Sequence, residues 1–198
     1  MRRAVLPLLV TVLTCLLASC AHEEPLPPPD VLPPEAQAMP ENGRFVLTGI
    51  RHPIVALITP TGVQGPDVNL GRYPAQNGTI AWRGTAFHHD VNLTVTADGA
   101  DGVVRKTPFN LNVTPGPDGM VVNGLIGGSP STVTISKSRI NGAFGRCGYD
   151  LRFQGQAYVG PRNCGSNLIQ VGVTLPTILT TWSDAEVATV LSLLLAGR

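Results

Sequence analysis

Two adjacent imidazoles and a carboxylate, His88-His89-Asp90, invite a chemical reading before anything else in this chain. Such a triplet could supply part of a metal site, or a general base with its orienting partner. The spacing argues against both. Successive residues on a strand face opposite sides of the sheet, so His88 and His89 do not share a site unless a bulge intervenes. A solvent-exposed or edge-strand pair is the expectation. Of the other two histidines, His52 precedes Pro53 in a turn and His22 belongs to a Pro-rich segment. No metal site and no cofactor are assigned.

The acids offer little more. No Glu occurs between Asn42 and Asp184, and the carboxylates there are Asp67, Asp90, Asp98, Asp101, Asp118 and Asp150. Asp98, Asp101 and Asp118 stand beside glycines, where Asp hydrogen-bonds its own backbone in turns. Asp98-Gly-Ala-Asp101-Gly has too few oxygen ligands in register for a calcium loop. The chain holds no Gly-x-Ser-x-Gly elbow, Walker loop or paired Cys-x-x-Cys motifs, and its Ser and Thr residues have no identifiable base. No catalytic residue is assigned, and a non-enzymatic role is expected.

Arginines and tyrosines gather near Cys147 and Cys164: Arg146, Tyr149, Arg152, Tyr158 and Arg162, with Arg139 just before them. Those five are the candidate recognition surface. The simpler alternative is the solvated rim of a cross-linked hairpin.

The amino terminus carries an address. Arg2 and Arg3 precede a 15-residue apolar run, Ala4 to Ala18, which is shorter than the about 20 residues that span a bilayer and contains Pro7. Leu17-Ala18-Ser19-Cys20 resembles the lipobox of bacterial lipoproteins. That resemblance implies diacylglycerol on the Cys20 thiol, cleavage before Cys20 and usually acylation of the new amino terminus, so that membrane lipid is the first partner. Several chains are needed because one acyl chain of myristoyl length holds only marginally, each buried methylene adding about 0.8 kcal/mol. Ala21, where an Asp would resemble an inner-membrane retention signal, points to the outer membrane of a two-membrane envelope, facing the periplasm. A Gram-positive surface is the other location considered.

Removing residues 1–19 leaves 179 residues with 12 Lys+Arg and 13 Asp+Glu. A nearly neutral chain makes nucleic acid an improbable partner. Low charge with abundant Val, Ile, Thr and Leu argues for a folded core. Cys15 leaves with the leader and lipid takes Cys20, so Cys147 and Cys164 remain. In an oxidising compartment a disulfide between them is the first expectation. Its loop of about 18 residues would contribute roughly 3 kcal/mol if unstrained.

Residues 20–42 read as the lipidated cysteine and an extended Pro-rich linker, since proline removes donors and fixes φ. Residues 43–198 read as one β-rich domain. Phe45 to Thr48, Ile54 to Ile58, Val91 to Thr96, Phe109 to Val113 and Val133 to Ser136 have strand patterning, several alternating apolar with polar. Asp98-Gly99, Asp101-Gly102, Asn123-Gly124 and Asn141-Gly142 read as turns between them. Asn92-Leu-Thr-Val-Thr96 recurs 18 residues on as Asn110-Leu-Asn-Val-Thr114, and Asn123-Gly-Leu-Ile-Gly127 recurs at the same interval as Asn141-Gly-Ala-Phe-Gly145, a hairpin echo. At the carboxyl end, Ser183-Asp-Ala-Glu186 is a capping box, followed by an apolar stripe of Val187, Val190, Leu191, Leu194 and Leu195.

The expected fold is therefore all-β: an antiparallel meander forming a sandwich or barrel of about eight strands with one C-terminal α-helix across a sheet face or in a barrel mouth. The expected role is a membrane-anchored, non-catalytic binding or structural module that contacts an envelope protein or cell-wall component. The alternative is a barrel that carries a lipid or small hydrophobic ligand.

Overall fold

The computed structural model describes residues 31–165 and 167–197. Cys20, the leader and the first part of the linker lie outside the described residues. The strands are β1 (Arg44–Thr48), β2 (Ile54–Thr59), β3 (Gly62–Gly65), β4 (Val68–Pro74), β5 (Ile80–Ala86), β6 (His89–Val95), β7 (Gly99–Val104), β8 (Thr107–Gly116), β9 (Gly119–Ile126), β10 (Ser129–Ser136), β11 (Arg139–Phe144), β12 (Cys147–Gln154), β13 (Ala157–Asn163) and β14 (Leu168–Thr174). Each pairs antiparallel with the next. β1 then pairs with β14, Val46 opposite Thr174, so the meander closes into a barrel.

The all-β meander with a C-terminal helix matches the expectation; the strand number does not. There are 14 strands where about eight were expected. The five patterned runs all fall in strands. Each missed strand contains at least one glycine, and Asp101-Gly102, Asn123-Gly124 and Asn141-Gly142, read as turns, lie inside β7, β9 and β11. Each of these glycines faces a crowded backbone. A β-carbon at Gly84, Gly102, Gly124, Gly142 or Gly160 would overlap a carbonyl oxygen of the preceding strand. The five recur every 18 or 22 residues, once per hairpin. Glycine kinks repeated around a sheet let it coil tightly enough to close, and the 18-residue echo is the period of that device.

Alternation along the strands sets the two faces. In β8, Phe109, Leu111 and Val113 are buried while Asn110, Asn112 and Thr114 are exposed. In β10, Val133 and Ile135 are buried between exposed Thr132 and Thr134. Apolar residues thus point into the barrel and polar ones out, the reverse of a barrel that crosses lipid. β1 and β2 are buried on both faces. Their outward pair, Val46 opposite Val55, is covered by Ala36 of α1 (Pro34–Gln37), with Leu32 and Met39 beside it. The end of the linker is therefore docked on the barrel rather than extended. Proline favours the first turn of a helix, where its missing donor is not needed, and Pro34 starts α1.

The lumen is filled by the chain itself. After β14 a 3-10 turn (Thr177–Thr181) leads to α2 (Asp184–Ala196), which lies against β6, β7, β8, β9 and β11. Ala185, Ala188, Thr189, Ser192 and all of Val190 to Leu195 are buried, so the helix is enclosed on every side rather than along one stripe. A helix apolar all round belongs inside a core. The lumen supplies that core. At the entry end, the capping box forms as read: Ser183 Oγ accepts from Glu186 N at 3.3 Å, and the Glu186 side chain accepts from Ser183 N. Arg72 of β4 donates to both Glu186 oxygens, at 2.6 and 3.2 Å. The guanidinium also lies 5.7 Å from the Trp182 ring centroid, which is 5.4 Å from that of Trp82. This cluster closes one end of the barrel.

Candidate functional site

The other end is open. β5–β6, β7–β8, β9–β10 and β11–β12 are joined there by two-residue tips, and α2 ends among them. The mouth holds a cavity of about 690 Å3. Its walls are Phe87, Val104, Phe109, Ile126, Leu193 and Ala196, and its rim includes His88, His89, Arg105 and Arg146. Thr107, Ser129 and Ser192 add hydroxyls to the lining, and Ser192 Oγ is fully buried with no hydrogen-bond partner among the described residues.

The turn geometry marks this rim. A two-residue hairpin of type I′ needs positive φ at both tip residues, which favours Gly or Asn. Gly127-Gly128, at φ 60° and 77°, meets that need without strain. The β5–β6 and β7–β8 tips do not use glycine. Phe87 and His88 stand at 50° and 64°, Arg105 and Lys106 at 54° and 63°. These are the non-glycine residues with positive φ among the described residues, and all four are at the mouth. Left-handed backbone costs an L-residue roughly 1–2 kcal/mol. Strain of this kind concentrates where particular side chains are required.

Charge is also uneven between the ends. The connections on the mouth side carry Arg51, Arg105, Lys106 and Arg146 with Asp67, whereas those at the entry end carry Asp98, Asp118 and Lys137. Arg105, Lys106 and Arg146 are exposed and make no ion pair with any described residue. The histidines fall differently from the strand argument. His88 is a tip residue rather than a strand residue, so it and His89 border the same cavity. The Asp90 side chain is exposed on β6, and only its carbonyl takes part here, accepting from Arg105 N at 3.1 Å. No group of three metal-ligating side chains occurs among the described residues.

The five residues read as a recognition surface are divided by the structure. Arg146 is on the mouth rim. Arg152 is exposed on the outer wall, opposite Arg139, which pairs with Asp150 at 2.8 Å. Asp150 is held below the usual carboxylate range by the Arg139 hydrogen bond. Tyr149 and Arg162 point inward and are buried. Arg162 Nε donates to Tyr149 Oη at 2.8 Å, and Tyr149 Oη donates to the Leu195 carbonyl at 2.7 Å. Arg162 also reaches the Gly197 carbonyl at 3.5 Å, so a cation meets the negative end of the helix dipole. Burial pushes the Tyr149 phenol up, and the nearby Arg162 charge opposes that. Tyr158 is buried towards the entry end and donates to the Ser136 carbonyl at 2.9 Å.

Cys147 and Cys164 are joined, with their Cα atoms 4.1 Å apart. The bridge ties the start of β12 to the segment after β13 and forms part of the cavity wall. Sequence reasoning assigned no role to Phe87, Arg105 or Ser192. The 18-residue interval between Phe87-His88 and Arg105-Lys106 was the available signal, because it is the hairpin period that places the tips side by side. No family model, curated protein or solved structure matches this chain.

Proposed function

We propose that the protein is a lipid-anchored envelope module that binds, without catalysis, through the open mouth of its barrel. Support for the anchor comes from the leader and from the resemblance of Leu17-Ala18-Ser19-Cys20 to a lipobox, which implies acyl chains on Cys20. Support for the mouth comes from one observation above the rest. The lumen is filled by α2, and where that helix ends a cavity of about 690 Å3 opens under exposed cationic side chains, larger than the about 530 Å3 hollow beside Arg72 and Arg83 on the wall. The same observation bears on the carrier alternative. A ligand cannot be enclosed along the barrel axis while α2 occupies it, and a carrier would hold its cargo at the mouth. We assign no catalytic step to the site, and binding is the simpler use of it.

Two measurements on whole cells test this. Labelled palmitate should enter the wild-type chain and not Cys20→Ala, which should leave the membrane fraction. Incorporation in both, or in neither, would end the anchor proposal. A photo-reactive residue in place of Arg146 should cross-link to an envelope component, while one in place of Lys137 at the opposite end should not. Equal cross-linking from both ends would remove the mouth as the contact surface.

A further inference from the structure

We propose that the mouth takes a single-chain anionic amphiphile, its acidic head held by Arg105 and Arg146 and its chain laid against Phe87, Phe109, Ile126 and Leu193. The inference rests on the reading of the mouth as the contact end and is independent of the anchor.

Three features of the cavity select this chemistry. The first is shape and size. At about 690 Å3 it falls among small-molecule sites, which are concave, mostly apolar and equipped with a few placed polar groups. A polyanion would leave the apolar wall uncovered. The second is charge. Arg105 and Arg146 stand over that wall without a counter-ion among the described residues, so a purely apolar ligand would leave them unmatched. An acid on an apolar chain satisfies both, and a guanidinium suits a carboxylate or a phosphate because its planar fork can donate two parallel hydrogen bonds. The third is the wall itself. The buried, unpartnered Ser192 hydroxyl is a polar atom that a native core would normally satisfy. It lines the cavity but is closed to solvent, so it meets a ligand oxygen only once the side chains above it part.

Depth limits the chain. Ser192 lies five residues before Gly197, roughly 7 Å down a helix that rises 1.5 Å per residue. Such a floor suits a short or medium chain, with the head level with the tips. The left-handed tips fit this use, since glycine at 87, 88, 105 and 106 would relieve the backbone but remove an apolar wall, an imidazole and two cations.

The test uses the full chain with Cys20→Ala, so that no acyl group of its own anchor competes. Decanoate below its micelle concentration is titrated by calorimetry, with decan-1-ol as a neutral probe of the same length. Decyl phosphate serves as the second acid source, and phosphatidylglycerol vesicles as a bilayer. Saturable one-to-one binding of decanoate or decyl phosphate is expected, at least tenfold weaker in Arg105→Glu/Arg146→Glu, with decan-1-ol changed less than twofold. The stronger of the two acids identifies the head. No saturable binding of either, equal binding by the double variant, or binding of vesicles alone would overturn the proposal. Because the tips are exposed, the double variant should keep its thermal midpoint. A midpoint shift above a few degrees moves the comparison to Arg105→Gln/Arg146→Gln, judged by the same tenfold criterion. Failure here with mouth-specific cross-linking intact would reject the amphiphile and keep the contact end.

Discussion

Gly197 lies directly under the ring of Phe87: a β-carbon added to Gly197 would come within 3.0 Å of three of the ring carbons. The backbone at Gly197, φ −64° and ψ 134°, is open to any residue. Glycine is required by the ring above it, not by its own conformation. The last residue of the described helix end and the strained tip of β5–β6 are thus packed as one unit, and the cavity wall depends on both.

Gly197→Ala should therefore displace the Phe87 ring and destabilise the protein by about 1–3 kcal/mol, the usual range for overpacking. Adding Phe87→Ala to that variant should recover part of the loss. A double-mutant cycle from denaturant unfolding checks the coupling, which should exceed about 0.5 kcal/mol for residues in contact. Additive effects would mean that the ring moves aside freely.

Lys106→Gly should stabilise the fold. Lys106 sits at φ 63° and exposes its side chain, so glycine removes roughly 1–2 kcal/mol of backbone strain. Greater freedom of the unfolded chain returns part of that gain. The expected net is about 0.5–1 kcal/mol, or roughly 1–4 °C in thermal midpoint for a chain of this size. An unchanged or lower midpoint would show that the tip is not strained.

Glu186→Gln should loosen the closed end. The carboxylate caps α2 and accepts two hydrogen bonds from Arg72, with side-chain exposures of 6% and 20%. Loss of the charge leaves a half-buried guanidinium without its partner, at about 1–3 kcal/mol. Salt should alter this little, because buried pairs are weakly screened. Parallel unfolding at low and high ionic strength checks both statements.

Stability should fall in alkali through Tyr149. Its folded pKa is raised above the ordinary 10.0 by burial, so the native state holds the phenolic proton that the unfolded chain releases. The contribution is present in full below about pH 10 and is lost as pH rises through the raised folded value. Tyr149→Phe should weaken this dependence and leave the part that Tyr158 contributes, whose phenol is also pushed up by burial. It should also lower stability at neutral pH, since the Leu195 carbonyl and Arg162 each lose a partner. Denaturation midpoints between pH 8 and pH 11 decide it.

Much of the architecture is local and could be read from residue order. Alternation in Phe109 to Val113 and Val133 to Ser136, the Ser183–Glu186 box, the pairing of Cys147 with Cys164 and the 18-residue hairpin echo all express short-range physics: pleat period, end-capping, proximity and turn spacing. Closure does not. Whether β1 finds β14 depends on coiling accumulated over every intervening strand, and the glycines that permit it look like turn residues when each is taken alone. The position of α2 is likewise collective. Its apolar surface requires a cover, but only a closed barrel supplies one on all sides. The site follows from that closure, which sets Phe87, Arg105 and Arg146 on one rim above Ser192 although the chain separates them by 18 to 105 residues. It also turns Tyr149 and Arg162 inward while leaving Arg152 in water. Residue types and spacing determined the elements; long-range strand pairing around a buried helix decided which side chains meet.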